Sequence, residues 1–540
     1  MHSEFGEFFS LFPSLSLSFF ISFIMSNRTS SSRHDDYILM LPFLAHGHLI
    51  PFLALAKQIH QRTGITLIIA STKLNINYLR RSSSNQYENS DSGIHFSELP
   101  FTSSDHGLPP NTETTENLSL AEVVGLFYAS LSLETPCRNL IHESIGKYGR
   151  PPLCVISDVF MGWAVGVANS FDTVSITFTT CGAYGTAAYM SIWLELPHRK
   201  TESEEFEVTG FPKRCRFHRS QLHQFLRAAD GSDRWSRFFQ PQLKLSLKSH
   251  AWLCYTVEEV ETFGLQILRD YVKRTVWCVG SLLPQAVLND KSCSPSSSLS
   301  FSKQRVSKEV GISVAKLFEW LDSQEPKSVL YISFGSQNTI GATQMMELAI
   351  GLEKSLKPFV WVIRPPLGFD LKGEFRQEWL PEGFEERLKG KNLGLLVRNW
   401  APQLDILAHK SIGAFLSHCG WNSVQESLSQ GVPIISWPIA AEQSHNSKML
   451  VEEKGVCVEL TKGALGSIVG DEVKKVIDLV MESNGEGEEM RKRASEIKLQ
   501  IRAAVKEEGG HKGSALKAID DFVAFLAHRE ENVKSKDIIT

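Results

Sequence analysis

The sequence predicts an α/β protein of two similar domains that face each other, each a parallel sheet flanked by helices. Three observations carry this. A strand, turn, helix, strand order opens at Tyr37 and returns through the first half of the chain. A Ser-rich stretch without periodicity interrupts it at 284–313, and a second alternating series follows. The 540 residues also exceed what one hydrophobic core usually organises.

Taken in order, YILMLPFL is an apolar run, AHGH a turn, IPFLALAKQIHQR a helical stretch and TLIIAS a second apolar run. That βαβ opening needs a parallel sheet. The same grammar returns at LCVISDVF, GWAVGVANSF and TVSITFTT. Residues 195–240 break it with charged and aromatic sequence such as EVTGFPKRCRFHRS, read as loops and short helices over a sheet edge that face a ligand. Beyond the linker come SVLYISFGS, a helix near TQMMELAIGLEKS, then FVWVIR, LGLLVRNW, GAFLSHCG, a helix from NSVQESL, PIISWP and GVCVEL. Short buried strands between helices make a second parallel unit. Leu516, Ile519, Val523 and Leu526 give a helical apolar stripe that can pack back across the boundary. The expected division is an N-terminal extension over 1–32, a first domain over 33–283, a linker over 284–313, a second domain over 314–510, a returning helix over 511–530 and a polar tail over 531–540.

Composition is ordinary globular usage, 42% hydrophobic and 21% charged, and the net charge of -4 offers no basic field for nucleic acid. The nine Cys are scattered without a C-x-x-C pair. They read as reduced thiols in a reducing compartment, not a disulfide framework or zinc site. Phe8 to Met25 is apolar, but Glu4 and Glu7 precede it without Lys or Arg, no small-residue cleavage site follows, and Ser and Pro interrupt it. The expectation is a working start at Met25, or a dispensable extension, on a cytosolic protein without stable membrane insertion. Oligomeric state is not readable.

Several chemistries lack support. No G-x-G-x-x-G follows a strand, the lone G-x-G being Gly485-Glu486-Gly487, read as an acidic loop. There is no G-x-x-x-x-G-K-[ST], no H-E-x-x-H and no G-x-S-x-G. No Asp-x-Asp occurs either, so any diphosphate must be held by dipoles and side chains and not through a metal.

The segment from Trp400 to Gln443 decides the functional reading. In FLSHCGWNSVQES a buried strand ends in His-Cys-Gly and a helix follows at once, with Asn422 and Ser423 in its first turn. Unpaired N–H groups and the positive dipole end form an anion site there, and His418 adds a donor. Glu426, one turn on, can accept from a ribose diol. Trp400 offers a face for stacking a base, with the backbone of Ala401 and the amide of Gln403 near its edge.

This segment, from Trp-Ala-Pro-Gln through His-Cys-Gly-Trp-Asn-Ser to Glu-Gln, resembles the signature of the plant secondary product glycosyltransferases, the family 1 UDP-dependent enzymes acting on small molecules. The resemblance extends over nearly the whole chain after residue 35. It implies two facing Rossmann-like domains in the GT-B arrangement, with UDP-sugar on the C-terminal half and the acceptor on the N-terminal half. By that likeness Trp400, Gln403 and Glu426 hold uridine, and His418, Asn422 and Ser423 hold the diphosphate, with Ser336 of SFGS a further phosphate contact. Trp421, Glu442 and Gln443 contact the sugar, and Thr180 of FTTCG lies near it. The closing Gln with Trp421 resembles glucose users, so UDP-glucose is the expected donor, with no cofactor and no metal.

Glycosyl transfer to a hydroxyl needs a base, and a neutral imidazole suits it. His48 opens the helix after the first strand, at the carboxyl edge where α/β sites form, and its His-x-x-Pro context matches the family's base. His46 is the structural alternative, a hydrogen-bonded turn residue. Asp158 of CVISDVF ends a buried strand, and the resemblance makes it the partner of His48. It can also cap the helix that follows. The expected reaction is inverting transfer of glucose from UDP-glucose to a hydroxyl of a small lipophilic or phenolic plant metabolite. Loops near 101–130 and 195–240, rich in Phe, Trp and Leu, are expected to supply an apolar, partly aromatic acceptor surface. A non-hydrolysing nucleotide-sugar epimerase and a catalytically silent UDP-sugar-binding protein are the alternatives.

Overall fold

A computed structural model of the chain describes residues 36–83, 93–116, 118–288, 311–371, 373–463 and 466–537. The expected extension over 1–32, most of the linker and Cys293 lie outside the described residues.

The first sheet has seven parallel strands: β1 (Tyr37–Leu41), β2 (Thr66–Ser71), β3 (Ile94–Glu98), β4 (Cys154–Asp158), β5 (Val174–Thr179), and β8 (Ala251–Cys254) with β9 (Val276–Cys278). Between them β6 (Glu205–Phe206) and β7 (Phe217–His218) form a small antiparallel ribbon. The strand order is β3-β2-β1-β4-β5-β8-β9. Strand β1 is Val/Ile/Leu-type sequence buried along its whole length, as a sheet covered on both faces requires. Three of these strands, β3, β8 and β9, fall outside the apolar runs read from the sequence. Strand β3 carries His95, Ser97 and Glu98 at a sheet edge, and the other two span only four and three residues.

The second sheet holds β10 (Val329–Ser333), β11 (Phe359–Ile363), β12 (Gly394–Arg398), β13 (Ile412–Ser417), β14 (Ile434–Ser436) and β15 (Cys457–Glu459), in the order β12-β11-β10-β13-β14-β15. Each sheet reverses its strand order once, between β1 and β4 and between β10 and β13. In doubly wound sheets the crevice at the carboxyl ends of such strand pairs is where ligands bind.

Six helices place the site: α1 (His46–Thr63), α2 (Ala183–Glu195), α3 (Arg234–Ser246), α4 (Trp421–Ser429), α5 (Gln443–Met449) and α6 (Ser514–Asp537). Helix α1 ends on Gly64 in the left-handed region, φ 71°, the usual glycine stop. Pro51 lies inside α1 and has no N–H to donate to the carbonyl of Gly47, four residues back. Helix α6 returns to the first sheet, where Phe522 and Phe525 pack edge-on against Trp277 of β9. Its Asp520 takes both ends of the Arg62 guanidinium at 3.0 Å, beside the end of α1. The helix runs on to Asp537, so residues 531–537 continue it where a tail was expected; its Glu, Lys and Val residues include no Gly or Pro to stop it. Residues 195–240 form short helices and the β6/β7 ribbon, but α3, which begins inside this stretch and runs past it, is a full helix, started by Asp233 capping two backbone amides. Gly485 and Gly487 open the helix Glu486–Ala504, where a loop was expected.

Among the described residues no helix is long and apolar enough to cross a membrane, and the eight described cysteines are unpaired.

Candidate active site

One corner of the candidate site follows from the first sheet's switch point. Strands β1 and β4 are paired neighbours, Leu41 opposite Ser157, so the turn leaving β1 meets the last residue of β4. His48, in the first turn of α1, places Nδ1 2.6 Å from Oδ2 of Asp158. The Asp158 side chain is fully buried and that of His48 is 22% exposed. Because Nδ1–H donates to the carboxylate, Nε2 is left as the basic nitrogen. Thr180 Oγ1 lies 3.1 Å from the same Nδ1. Burial pulls the imidazole's pKa down, but the Asp158 charge and hydrogen bond, helped by Glu442, outweigh it and raise it above the usual histidine value.

Two expectations change here. Asp158 Oδ1 accepts the N–H of Phe160 at 3.0 Å, a turn bond, and the next helix starts later with Gly162 at its cap position. Asp158 therefore holds the turn and His48, not a helix end. His46 lies inside α1 and not in the turn before it; its ring stacks on Tyr78 at 3.8 Å, and Nδ1 is 3.5 Å from Glu116 Oε2.

The second sheet's switch point builds the anion site. Strand β13 ends at Ser417, Cys419 takes φ 61°, and Gly420 caps α4. The first amide bonded back into that helix is Val424, to Gly420, so the amides of Trp421, Asn422 and Ser423 precede the internal ladder. His418 is buried, and burial, with the nearby Arg364 charge, pushes it down to about 4. It is a neutral donor at working pH, and its Nδ1 has no hydrogen-bond partner among the described residues. A Cβ at Gly335 or Gly420 would come within 2.7 or 2.5 Å of His418 Nε2, so the two glycines let backbone close on the ring.

A cavity of about 220 Å³ lies on one side of this helix start, lined by Trp400, Ala401, Gln403, Glu426, Ser336, Asn422 and Ser423 among others. The Gln403 amide joins the lining of this cavity together. Its Nε2 donates to Ser423 Oγ at 3.0 Å and to Glu426 Oε2 at 2.7 Å, while Oε1 accepts from the Tyr331 hydroxyl at 3.4 Å. A carboxylate buried beneath a helix start needs donors, and Gln403 supplies one.

A second cavity of about 260 Å³ shares Gly47, Ser336, Asn422 and Ser423 with the first and reaches His48, Thr180, His418, Trp421, Glu442 and Gln443. Every residue singled out from the sequence thus lines one cavity or both, except Asp158, which stands behind His48. Gln443 Oε1 accepts the amides of Ile439 and Ala440, both at 2.9 Å, leaving its NH₂ for a ligand. Burial raises the Glu442 carboxyl, opposed by its hydrogen bonds and by His48. Trp421 is 3% exposed and its Nε1–H donates to the Tyr255 carbonyl of the first domain, so its ring braces the domains as well as lining the cavity.

The first-domain wall of this cavity, where an acceptor surface was expected, is Val159, Phe160, Tyr189 and Met190. The loops near 101–130 and 195–240 do not line it. Phe127 and, from α3, Phe239 instead stand behind Phe160, with centroids 5.6 and 5.2 Å away. Their side chains are buried, so composition marked the backing layer instead of the surface.

Two residues carried no sequence signal. Glu261 is buried and accepts the amides of Ala183 and Tyr184 at 2.9 and 3.0 Å, holding the start of α2 beside Thr180. Asn446 of α5 donates to the Cys419 carbonyl at 3.0 Å and accepts from Cys181 Sγ at 3.4 Å. Neither belongs to a motif; the packing of α5 on α2 brings in Asn446, and that of the helix after Glu261 on α2 brings in Glu261.

Two doubly wound sheets facing across a cleft, a His/Asp pair on one and a helix-start anion site on the other, define the GT-B class of sugar-nucleotide-dependent transferases. Residues 37–229 match the profile described as "Glycosyltransferase, N-terminal domain", and residues 312–486 match "UDP-glucoronosyl and UDP-glucosyl transferase". The chain is 41% identical to crocetin glucosyltransferase 3 of Crocus sativus over 86% of this chain and 94% of that protein. It is 39% identical to UDP-glycosyltransferase 92A1 of Arabidopsis thaliana, over 90% and 96%. Among solved structures it resembles a Glycyrrhiza uralensis enzyme, UGT73P12, complexed with glycyrrhetinic acid 3-O-monoglucuronide, at TM-score 0.77 and 26% identity, covering 93% and 98% of the two chains. The chain belongs to the plant UDP-glycosyltransferase family, and it is an enzyme of that kind.

Proposed function

We propose that this enzyme moves glucose from UDP-glucose to a hydroxyl of a small, apolar and partly aromatic plant metabolite, with inversion at the anomeric carbon. The observation that carries the reading is the 2.6 Å contact between His48 and Asp158 at the wall of a cavity that also reaches the start of α4. His48 Nε2 takes the proton of the acceptor hydroxyl as its oxygen attacks the anomeric carbon. The bond from that carbon to the diphosphate oxygen breaks, and UDP leaves with the electron pair. Asp158 keeps the imidazole in the required tautomer and stabilises the imidazolium. In one displacement UDP-α-glucose gives a β-glucoside.

On the donor side, Trp400 stacks the base beside the Ala401 backbone. Glu426, oriented by Gln403, accepts from the ribose. Ser336, His418, Asn422, Ser423 and the first amides of α4 hold the diphosphate, a set of neutral donors and a helix dipole that supports binding without a metal. Trp421, Glu442 and Gln443, with Thr180, surround the sugar. Glucose is supported by relatives named as glucosyltransferases, among them those of crocetin above and of scopoletin from Nicotiana tabacum, 32% identical. The first domain, 33–283, takes the acceptor, whose wall of Phe160, Tyr189 and Met190 favours an apolar or aromatic body. The second, 314–510, takes UDP-glucose. The eight cysteines among the described residues, all unpaired, support a cytosolic setting.

Incubating the full chain with UDP-glucose and a panel of phenolic and terpenoid alcohols tests this. The expected result is a β-glucoside with stoichiometric UDP. An epimerised donor, or saturable UDP-glucose binding with no product on any acceptor, would overturn it.

A further inference from the structure

The donor cavities present a charge problem. No Lys or Arg is among the described residues lining either one, His418 is neutral, and a diphosphate gains negative charge as it departs. One layer behind the lining, Arg364 follows β11. Its Nη1 donates to the Ser336 carbonyl at 2.7 Å and its Nη2 to the Gly335 carbonyl. Those two residues line both cavities, and Gly335 sits against His418. Both of these bonds go to uncharged oxygens, which leaves the guanidinium charge to act on its surroundings. Gln337, next to Ser336, donates through Nε2 to Thr115 Oγ1 of the first domain, which sets the neighbouring Glu116 beside this loop; its carboxylate, with the Tyr331 phenol, opposes the downward pull of burial on Arg364. That carboxylate also stands 3.5 Å from His46.

Resting on the transferase reading, we infer that Arg364 is a positioning residue for the donor diphosphate: its fork fixes the Gly335–Ser336 loop, and its charge stabilises the leaving UDP from behind that loop. The carboxylate of Glu116 then competes with the diphosphate for the same charge.

The test uses the full chain and its R364Q, R364K and E116Q variants. UDP and uridine affinities are measured by calorimetry, with kcat and KM for UDP-glucose. A charge acting on the diphosphate predicts that R364Q weakens UDP by about 10-fold or more while uridine stays within about 2-fold. It also predicts a lower kcat, from lost stabilisation of the leaving group. R364K keeps the charge without the fork and loses less UDP affinity than R364Q. E116Q removes the competitor and tightens UDP by about 2-fold or more. Equal weakening of UDP and uridine, R364K falling as far as R364Q, or E116Q leaving UDP affinity unchanged or weaker would overturn the inference. If R364Q does not fold, R364K weakening UDP by about 10-fold or more, or E116Q failing to tighten it, overturns the inference. Wild-type protein that neither binds UDP nor uses UDP-glucose would instead overturn the transferase reading. Wild-type protein that does both, with R364Q unchanged, would overturn only the role of Arg364.

Discussion

Asn422 Nδ2 donates to the backbone carbonyl of Gly47 at 2.9 Å, joining the start of α4 in the second domain to the first turn of α1 in the first. Pro51 makes that bond available. With no N–H at 51, the Gly47 carbonyl has no partner at the usual helical position. The His-x-x-Pro spacing thus does two things: it puts His48 at the helix start, and it exposes a carbonyl one residue before His48 for the second domain to hold.

Asn422→Ala should raise the KM for UDP-glucose about 3- to 10-fold, in line with about 0.5–1.5 kcal/mol for a net hydrogen bond. Pro51→Ala, which never approaches the donor, should shift KM in the same direction by giving Gly47 a competing N–H. Steady-state kinetics on both variants checks this, and an unchanged KM in each would separate the contact from donor binding.

His48→Ala should lower kcat by about 10²- to 10⁴-fold, the range for losing a positioned general base, while UDP affinity stays within about 2-fold. Single-turnover assays beside UDP calorimetry distinguish this from a folding defect. Near wild-type turnover on alcohol acceptors would remove His48 as the base.

The pH profile follows from the same pair. His48 is raised above the ordinary histidine value by Asp158, and only its neutral form accepts a proton. Activity should therefore fall on the acid side as pH drops through that raised value. Asp158→Asn removes the raising charge, so the acid limb should move to lower pH even as kcat falls through loss of imidazolium stabilisation. An acid limb that stays in place, or moves up, would mean another group controls it.

Much of the site was legible because its residues sit at strand ends with fixed offsets. His48 follows β1, Asp158 ends β4, Ser336 follows β10, and His418 to Glu426 cross from β13 into α4. Local sequence specifies such turns, and a switch point makes them converge. The illegible part depends on contacts between distant segments. Gln403 reads as a base contact, and the bond it also makes to Glu426 is one that no spacing reveals. The aromatic stretches around Phe127 and Phe239 read as acceptor surface, yet they pack behind Phe160 because a wall needs a second layer. Strands β8 and β9 were missed because runs of four and three residues give no period to detect.

Gln403→Leu should leave Glu426 and Ser423 without their shared donor. Losing a hydrogen bond to a buried charged group costs about 1.5–3 kcal/mol, so uridine and UDP affinity should fall together by about 5-fold or more. Calorimetry with both ligands checks this. Loss confined to UDP would place Gln403 at the phosphates.

Gly182 tests whether the domain contact itself positions the chemistry. It precedes α2 at the point where Glu261 and Trp421 converge, and a Cβ there would fall 2.5 Å from Glu261 Oε2 and 2.7 Å from the Trp421 ring. Neither neighbour can retreat freely. Glu261 is held by the amides of Ala183 and Tyr184, and Trp421 by the Tyr255 carbonyl. Gly182→Ala should therefore destabilise the protein by about 1–3 kcal/mol, the usual range for overpacking, read as a lower thermal midpoint. It should also lower kcat/KM beyond the fraction unfolded, because Thr180 and Trp421 both line the cavity that reaches His48. Pairing it with Trp421→Phe, which shortens the ring, should recover part of the midpoint while losing the bond to Tyr255. A Gly182→Ala protein with wild-type midpoint and kcat/KM would show that the domains have slack at this contact, and that the cleft is set elsewhere.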